Sequence, residues 1–484
     1  MGSKLEKQQS KSFISHFLAI GTGTIISMAI GLLTTPVITR IVDPNEYGQL
    51  SIFQMYTSIA LMVLCLGLDQ SLVRFYYDNE QIEYKQSLLR FCFWIPLLAS
   101  SAVATLIGIL AVTQIIQFEF TPGIMVLLGI NVVAATANRI AILVLRITYQ
   151  SKLFSICNIL TKVTYIAVAL ILIFTVKTQY FALLVIATIA SFIVPTAFAI
   201  IASRNLWKIH INYELPNRGE IIWYGLPLIL SMGITTVFQT LDKMTLNAYC
   251  TYADVGVYSS AMTLVNIFAI IQTTFNSLWG PMQVEHYVKH PEDTSYIQKA
   301  NRMITVIMFA MGISLILVKD VFALLLGEKF REAAYIMPFL IFNPIMYTIS
   351  ETTCAGIGVS KKSYLNIIVA LGACLTNLAG NLLLVPVLAG KGAAISTGCS
   401  YIVFWALRMI LSNRYYYVNY GNAKFLFFTL LIAGYALYNT FARFNWISVA
   451  LFAVLIGLLL FLYRSSLIDI WNMVKKFIGQ KVKK

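Results

Sequence analysis

Fourteen apolar runs, the first at 13–39 and the last at 445–463, account for most of the chain, and one loop between them occurs twice. Tyr47-Gly48-Gln49-Leu50-Ser51 opens the second run. Val255-Gly256-Val257-Tyr258-Ser259 opens the eighth, about 210 residues later. A helix needs about 20 mostly apolar residues to cross a bilayer. Within hydrocarbon, every backbone polar group must be satisfied inside the segment or across a closed barrel. Runs of this length therefore predict an all-α polytopic membrane protein with about 14 transmembrane helices. The balance of 59% hydrophobic to 11% charged residues excludes a soluble domain of this size.

The repeat continues past the first motif. Tyr149-Gln150-Ser151-Lys152-Leu153-Phe154 precedes the fifth run, and Val359-Ser360-Lys361-Lys362-Ser363-Tyr364 precedes the eleventh, again about 210 residues on. Six runs per copy is an even number, so both copies enter the membrane from the same side. That predicts two six-helix lobes related by an axis along the membrane normal. The expected organisation is a cytoplasmic N-terminus (1–12), an N-lobe (13–203), a cytoplasmic linker (204–218), a C-lobe (219–413), two appended helices (424–464) and a basic cytoplasmic tail (465–484). No connection is long enough for a soluble catalytic domain.

The net charge is +15, and most of the 35 Lys and Arg fall in even-numbered connections and the two termini. Among them are Lys4, Lys7, Lys11, Lys85, Arg90, Lys152, Arg204, Lys208, Arg218, Lys361, Lys362 and the tail from Lys475. The odd connections hold Arg40, Lys177, Lys319, Lys329, Arg331, Lys391 and Arg443. The positive-inside rule then places both termini in the cytoplasm. The ninth connection, with Lys319, Lys329 and Arg331, departs from the rule locally. Anionic lipid headgroups account for the basic excess, and no nucleic-acid partner is needed. The seven cysteines sit in or beside apolar runs without a C-x-x-C pair and read as buried thiols.

Polar side chains in hydrocarbon are costly and normally face other helices or a wet cavity. Here they fall on single helical faces. Asn131, Asn138 and Arg139 mark the fourth run, and Asn158, Thr161, Lys162 and Tyr165 the fifth. Ser231, Thr235, Gln239 and Asp242 mark the seventh, with Lys243 at the edge. Ser259, Thr263, Asn266, Thr273 and Ser277 lie on the eighth, and Asn343, Tyr347, Ser350, Glu351 and Cys354 on the tenth. Two readings stand side by side for the neutral residues: cavity lining, or hydrogen bonding between helices. A buried cation at Arg139, Lys162 or Lys243 needs an anionic partner or solvent, and the expectation is a shared cationic cavity. Asp69, Asp242 and Glu351 are the acids near the membrane. Each can neutralise a cation in a static pair or take up Na+ or H+ during transport. His286 and His290, beside Glu285, Glu292 and Asp293, read as a solvated helix face rather than a metal site. No phosphate-binding loop, dinucleotide loop or nucleophile elbow occurs, so the expectation is a transporter and not an enzyme.

Several segments resemble one family. Arg40-Ile41-Val42-Asp43-Pro44-Asn45-Glu46-Tyr47-Gly48 resembles the loop after the first helix of polysaccharide-unit (Wzx-type) flippases. Gly67-Leu68-Asp69-Gln70-Ser71-Leu72-Val73-Arg74-Phe75-Tyr76 resembles the end of their second helix. Asp242-Lys243 and the motif at Val255 are similar to the opening of their second half, and Gly392-Ala393-Ala394-Ile395-Ser396 to the start of their twelfth helix. That family belongs to the multidrug/oligosaccharidyl-lipid/polysaccharide (MOP) exporter superfamily, with lipid II flippases and MATE drug exporters. The resemblance implies a MATE-like, V-shaped body with a central cavity opening alternately to each face. It implies a substrate, an undecaprenyl-pyrophosphate-linked oligosaccharide moved to the outer leaflet of the bacterial cytoplasmic membrane. Polysaccharide polymerase and glycosyltransferase neighbours are the partners it implies. Cationic side chains would hold the pyrophosphate; the matched charged positions are Arg40, Arg74, Asp69, Asp242 and Lys243. Arg139 and Lys162 are added on physical grounds, because a multiply charged headgroup in a low-dielectric lumen needs opposing charge. The competing expectation is an ion-coupled MATE-type multidrug antiporter, and a third is a membrane glycosyltransferase or polymerase.

Overall fold

The computed structural model describes residues 23, 25–208, 215, 218–360, 362 and 364–464. The expected segments 1–12 and 465–484, Lys4, Lys7, Lys11, Lys361 and the Ser277 side chain lie outside the described residues, as do most of the 204–218 linker and the start of the first run. All regular structure among the described residues is helical. Helices α1 (Ile25–Ile41), α2 (Pro44–Leu64), α3 (Leu68–Phe75), α4 (Ile82–Val112), α5 (Pro122–Ile147), α6 (Ser151–Val176) and α7 (Tyr180–Ala202) make up the first half. Next come α8 (Arg218–Tyr249), α9 (Tyr252–Val265), α10 (Ala269–Lys289), α11 (Ser295–Leu317) and α12 (Lys319–Ala323). The last six are α13 (Ala333–Leu340), α14 (Phe342–Thr353), α15 (Ala355–Val359), α16 (Leu365–Asn413), α17 (Asn422–Phe441) and α18 (Trp446–Leu462).

Nine of the described helices are long and apolar enough to cross a bilayer, or up to eleven if each of two bent pairs is one span. This is fewer than the fourteen expected, and the difference arises at three places. Only Ile25–Ile41 of the first run is described as helix, and the apolar α18 is short. The 49-residue α16 is counted once, yet it turns back at Ala389, whose φ is 47°. Its two arms run antiparallel: Asn377 Nδ2 donates to Thr397 Oγ1 at 3.2 Å, and a Cβ on Gly380 would lie 2.7 Å from Ser396 Oγ. The sequence shows the same break, as a gap between the runs 363–388 and 392–412. Of the bent pairs, α2 and α3 meet at 51°, where Leu66 and Gly67 are both in the left-handed region.

The chain divides into two compact units. Unit 1 is Met1–Thr34 with Gln49–Thr240; unit 2 is Thr35–Gly48 with Leu241–Lys484. The division passes through α8 rather than through the polar linker. In unit 1, Leu68, Leu72, Leu88, Cys92, Ile140 and Val144 pack α3, α4 and α5 together, and Ile221 brings in the start of α8. In unit 2, Trp405 stacks on Phe425 at 4.0 Å and Phe309 stacks on the same ring at 5.3 Å. The expected appended helix α17 is thus built into that core.

Within unit 2 the connections sort to two ends. In unit 2 one end gathers Asp43 with Lys329 (2.5 Å), Gly327 N with Thr39 Oγ1 (3.1 Å), and Lys319 Nζ with the Ala442 carbonyl (3.2 Å). There the Lys329 ammonium holds the Asp43 carboxyl below its usual range. The other end gathers Tyr416 with the Pro291 carbonyl, and Gly356 N with Ser412 Oγ. These are, respectively, the odd and the even connections of the sequence reading.

The repeated motif has a structural reason. The first turns of α2 and α9 cross at Gly48 and Gly256. A Cβ on Gly48 would lie 1.7 Å from the Tyr252 carbonyl oxygen, and one on Gly256 would lie 2.1 Å from the Pro44 carbonyl oxygen. Only glycine at both positions allows this approach, the small-residue contact that lets membrane helices pack backbone to backbone.

Candidate functional site

In unit 1 the charged centre is Asp69 with Arg139. The bend before α3 turns Asp69 inward, leaving it 2% exposed. Arg139, on the polar stripe of α5, donates from Nε and Nη2 to Asp69 Oδ2 at 2.8 and 2.6 Å. Gln70 Nε2 adds a contact at 3.1 Å, while Asp69 Oδ1 is buried without a partner among the described residues. Arg139 is therefore held by a buried carboxylate, but its side chain stays 36% exposed and keeps further N–H groups to offer. Lys162 on α6 is exposed, with its Cε about 4.0 Å from where a Cβ on Gly31 of α1 would stand. No carboxylate pairs with it among the described residues.

In unit 2, Asp242 is 4% exposed and fully surrounded. It accepts from Tyr258 Oη and Thr397 Oγ1, each at 2.5 Å, and from Asn381 and Asn377 Nδ2 at 2.8 and 3.1 Å. Both arms of α16 contribute, so the reversal at Ala389 builds this site. Every donor is neutral. The Asn381 amide oxygen beside it is buried and unpartnered among the described residues. Lys243, the next residue on α8, is half-buried and has no ion-pair partner among the described residues.

The third acid, Glu351 on α14, pairs with Arg408 at 2.7 Å. Arg408 also donates to Ser350 Oγ at 2.9 Å, and its Nε is buried without a partner among the described residues. Sequence reasoning missed Arg408, which lies in the last turns of the 392–412 run, close to the basic residues of the connection that follows. The signal was Glu351, an acid inside a run that needed a cation.

The remaining expected residues separate into two groups. Asn131 is fully buried and donates to Thr57 Oγ1 at 2.9 Å; Asn138 donates to the Phe192 carbonyl and Thr196 Oγ1, each at 3.1 Å. These two bond between helices. Gln239 and Asn266 are exposed, and Asn158 and Asn343 half-buried. Arg74 is exposed and pairs with Asp78 at 2.7 Å, and Arg40 is exposed at the end of α1. Away from these, the His286 ring stacks on Tyr296 at 4.2 Å and lies 3.2 Å from Asp293 Oδ2.

Two kinds of charge thus coexist: cations locked to acids (Arg139 to the buried Asp69, Arg408 to the half-buried Glu351), and lysines on polar stripes with no ion-pair partner among the described residues (Lys162, Lys243). The second kind can hold an anion without first breaking an ion pair. Solved structures share the fold that carries these residues. A lipid II flippase, MurJ, in its inward closed conformation superposes with a TM-score of 0.62 over 93% of this chain and 99% of its own, at 12% identity. A MATE transporter in complex with MaD5 gives 0.58 over 82% and 95%, at 16% identity. An outward-facing multidrug resistance MATE transporter of the MOP superfamily gives 0.55 over 82% and 95%, at 15% identity. At these identities the likeness establishes the fold. No curated protein matches the sequence. The family described as Polysaccharide biosynthesis protein matches residues 37–335, more than half of the chain. A helical membrane protein with this fold, matched over this length, belongs to the polysaccharide biosynthesis protein family.

Proposed function

We propose that the chain is a flippase. It carries undecaprenyl-pyrophosphate-linked oligosaccharide units from the inner to the outer leaflet of the bacterial cytoplasmic membrane by alternating access, for a cell-surface polysaccharide such as capsule. Segments 13–203 and 219–413 serve as the moving halves, and both termini are cytoplasmic. The observation that carries the reading is Lys162 and Lys243, membrane-embedded cations without acid partners in a member of a polysaccharide biosynthesis family. A structural neighbour named as a lipid II flippase supports it. Binding rests on the pyrophosphate, since a charge-assisted contact contributes about 1.5–3 kcal/mol and a neutral hydroxyl contact about 0.5–1.5 kcal/mol. The glycan is held loosely by exposed groups such as Gln239 and Asn266, which leaves room for different sugars.

Na+ or H+ is the coupling ion, and Asp242 is its site. The groups around Asp242 offer only oxygen acceptors to a cation: the carboxylate, hydroxyls and the unpartnered Asn381 amide oxygen. A hard monovalent cation suits such a set.

The test is flipping of a fluorescent undecaprenyl-pyrophosphate oligosaccharide in proteoliposomes. Lys162→Ala with Lys243→Ala should slow flipping by about tenfold or more, as loss of two phosphate contacts implies. The Lys→Arg pair should retain part of the rate. A neutral variant that flips at the wild-type rate overturns the reading. The second reading, an ion-coupled multidrug antiporter, is favoured by the MATE neighbours. It predicts export of cationic dyes and no flipping in the same vesicles.

A further inference from the structure

At the end of unit 2 where the odd connections gather, four chain segments converge on one aromatic ring. Lys319 Nζ lies 4.6 Å from the Tyr335 ring centroid, and Lys391 Nζ lies 5.0 Å from it. Arg443 Nε donates to the Tyr335 hydroxyl at 3.2 Å, and Lys391 is also 5.5 Å from the Phe441 ring. The segments are the start of α12, α13, the reversal of α16 and the residues after α17, so the cluster is a product of the fold and of no single helix.

The three cations are not alike. Lys319 is 1% exposed and satisfied by Asp320 Oδ2 and the Ala442 carbonyl, each at 3.2 Å. It fixes the scaffold. Lys391 is half-buried and Arg443 exposed, and neither has a carboxylate partner among the described residues. The other basic residues of the ninth connection are spent, Lys329 on Asp43 and Arg331 on Glu328. A positive-inside protein gains nothing from concentrating unpaired cations at its outer end. Like charges gathered around one ring repel, and an anion between them removes that cost. Because the Tyr335 hydroxyl accepts from Arg443, its own proton is available for donation to such an anion.

We propose that Lys391, Arg443 and Tyr335 form a binding site for the phosphate of a lipid headgroup in the outer leaflet. The choice of leaflet rests on the orientation proposed above; the site itself rests on the cluster. The phosphate has two sources, an ordinary anionic phospholipid of the bilayer or the pyrophosphate of a lipid that has just crossed.

The experiment uses the full chain in phosphatidylcholine nanodiscs, carrying Lys162→Ala and Lys243→Ala so that those lysines contribute nothing. Phosphatidylglycerol or undecaprenyl pyrophosphate is added at low mole fraction, and retained lipid is counted by native mass spectrometry. The parent should retain one phosphate lipid. Lys391→Gln with Arg443→Gln should lower retention by about tenfold or more, and Lys391→Arg with Arg443→Lys should keep most of it. Tyr335→Phe, which removes only the hydroxyl, should weaken retention by a smaller factor. Preference for undecaprenyl pyrophosphate assigns the site to the transported class of lipid, and equal retention assigns it to bilayer phospholipid. Unchanged retention in the neutral variant, with an unchanged melting temperature, overturns the site. So does equal retention of a tracer phosphatidylcholine. Retention of the lipid here, with no flipping by the chain that keeps Lys162 and Lys243, preserves this site and loses the flippase reading, so the two failures are distinguishable.

Discussion

At the scale of single residues, the three cations expected to act alike divide by their partners. Arg139 neutralises an Asp69 that is 2% exposed, so removing it strands a buried carboxylate. A lost buried pair costs about 3–5 kcal/mol, reduced here because the Arg139 side chain is 36% exposed; we expect Arg139→Ala to cost about 2 kcal/mol. Lys162 has no such partner, so Lys162→Ala should fall within about 0.5 kcal/mol of wild type. Thermal unfolding in detergent micelles measures both. The sharper check adds Asp69→Asn to Arg139→Ala, because removing both charges should recover most of the loss. If the double variant is no more stable than Arg139→Ala alone, the ion pair is not what holds these helices. The stripes that drew attention to these residues were legible in the sequence. Their partners were not, since Asp69 and Arg139 are 70 positions apart and Glu351 and Arg408 are 57. Helical periodicity reports which face a residue occupies and carries nothing about what another helix presents to that face.

At the scale of elements, the repeated motif is a packing device. The glycines of its two copies cross backbone to backbone, and an added methyl would overlap a carbonyl oxygen from either side. Gly48→Ala and Gly256→Ala should each destabilise by about 2–4 kcal/mol or prevent folding. Gly123, with nothing within 4 Å of an added Cβ, provides the control, and Gly123→Ala should stay within about 0.5 kcal/mol. Yield of monodisperse protein and melting temperature report the difference. Equal behaviour at Gly48 and Gly123 would remove the crossing from the account. The sequence located both copies, because a repeat is visible as similarity along the chain. It did not show that the copies touch. The run boundaries fared well where a polar or conformational break ends the helix, as at Ala389, because a break of this kind is local. The boundary between the two compact units falls within α8, where no change in composition marks it.

At the scale of the whole molecule, the ion coupling proposed for the buried Asp242 carboxylate, with its neutral donors, is open to direct test. Asp242→Asn keeps the size and most hydrogen bonds and removes the charge. In proteoliposomes with an imposed Na+ or H+ gradient, stimulation of flipping should vanish in this variant, and the rate should fall to that measured without a gradient. Undiminished stimulation would place the coupling elsewhere. Which gradient stimulates the wild-type protein identifies the ion.

Residue order alone shows a helical, multi-pass membrane protein with an internal repeat and segments that resemble polysaccharide-unit flippases. Hydropathy and repetition are sums over neighbouring residues, so they survive without knowledge of the fold. Folding settles which charges are locked and which are free. It also decided that α17 belongs to a core, and that Lys319, Tyr335, Lys391 and Arg443 surround one ring. The energy of a charge in a low-dielectric interior depends on what lies within a few ångströms of it, and packing between distant segments sets those neighbours.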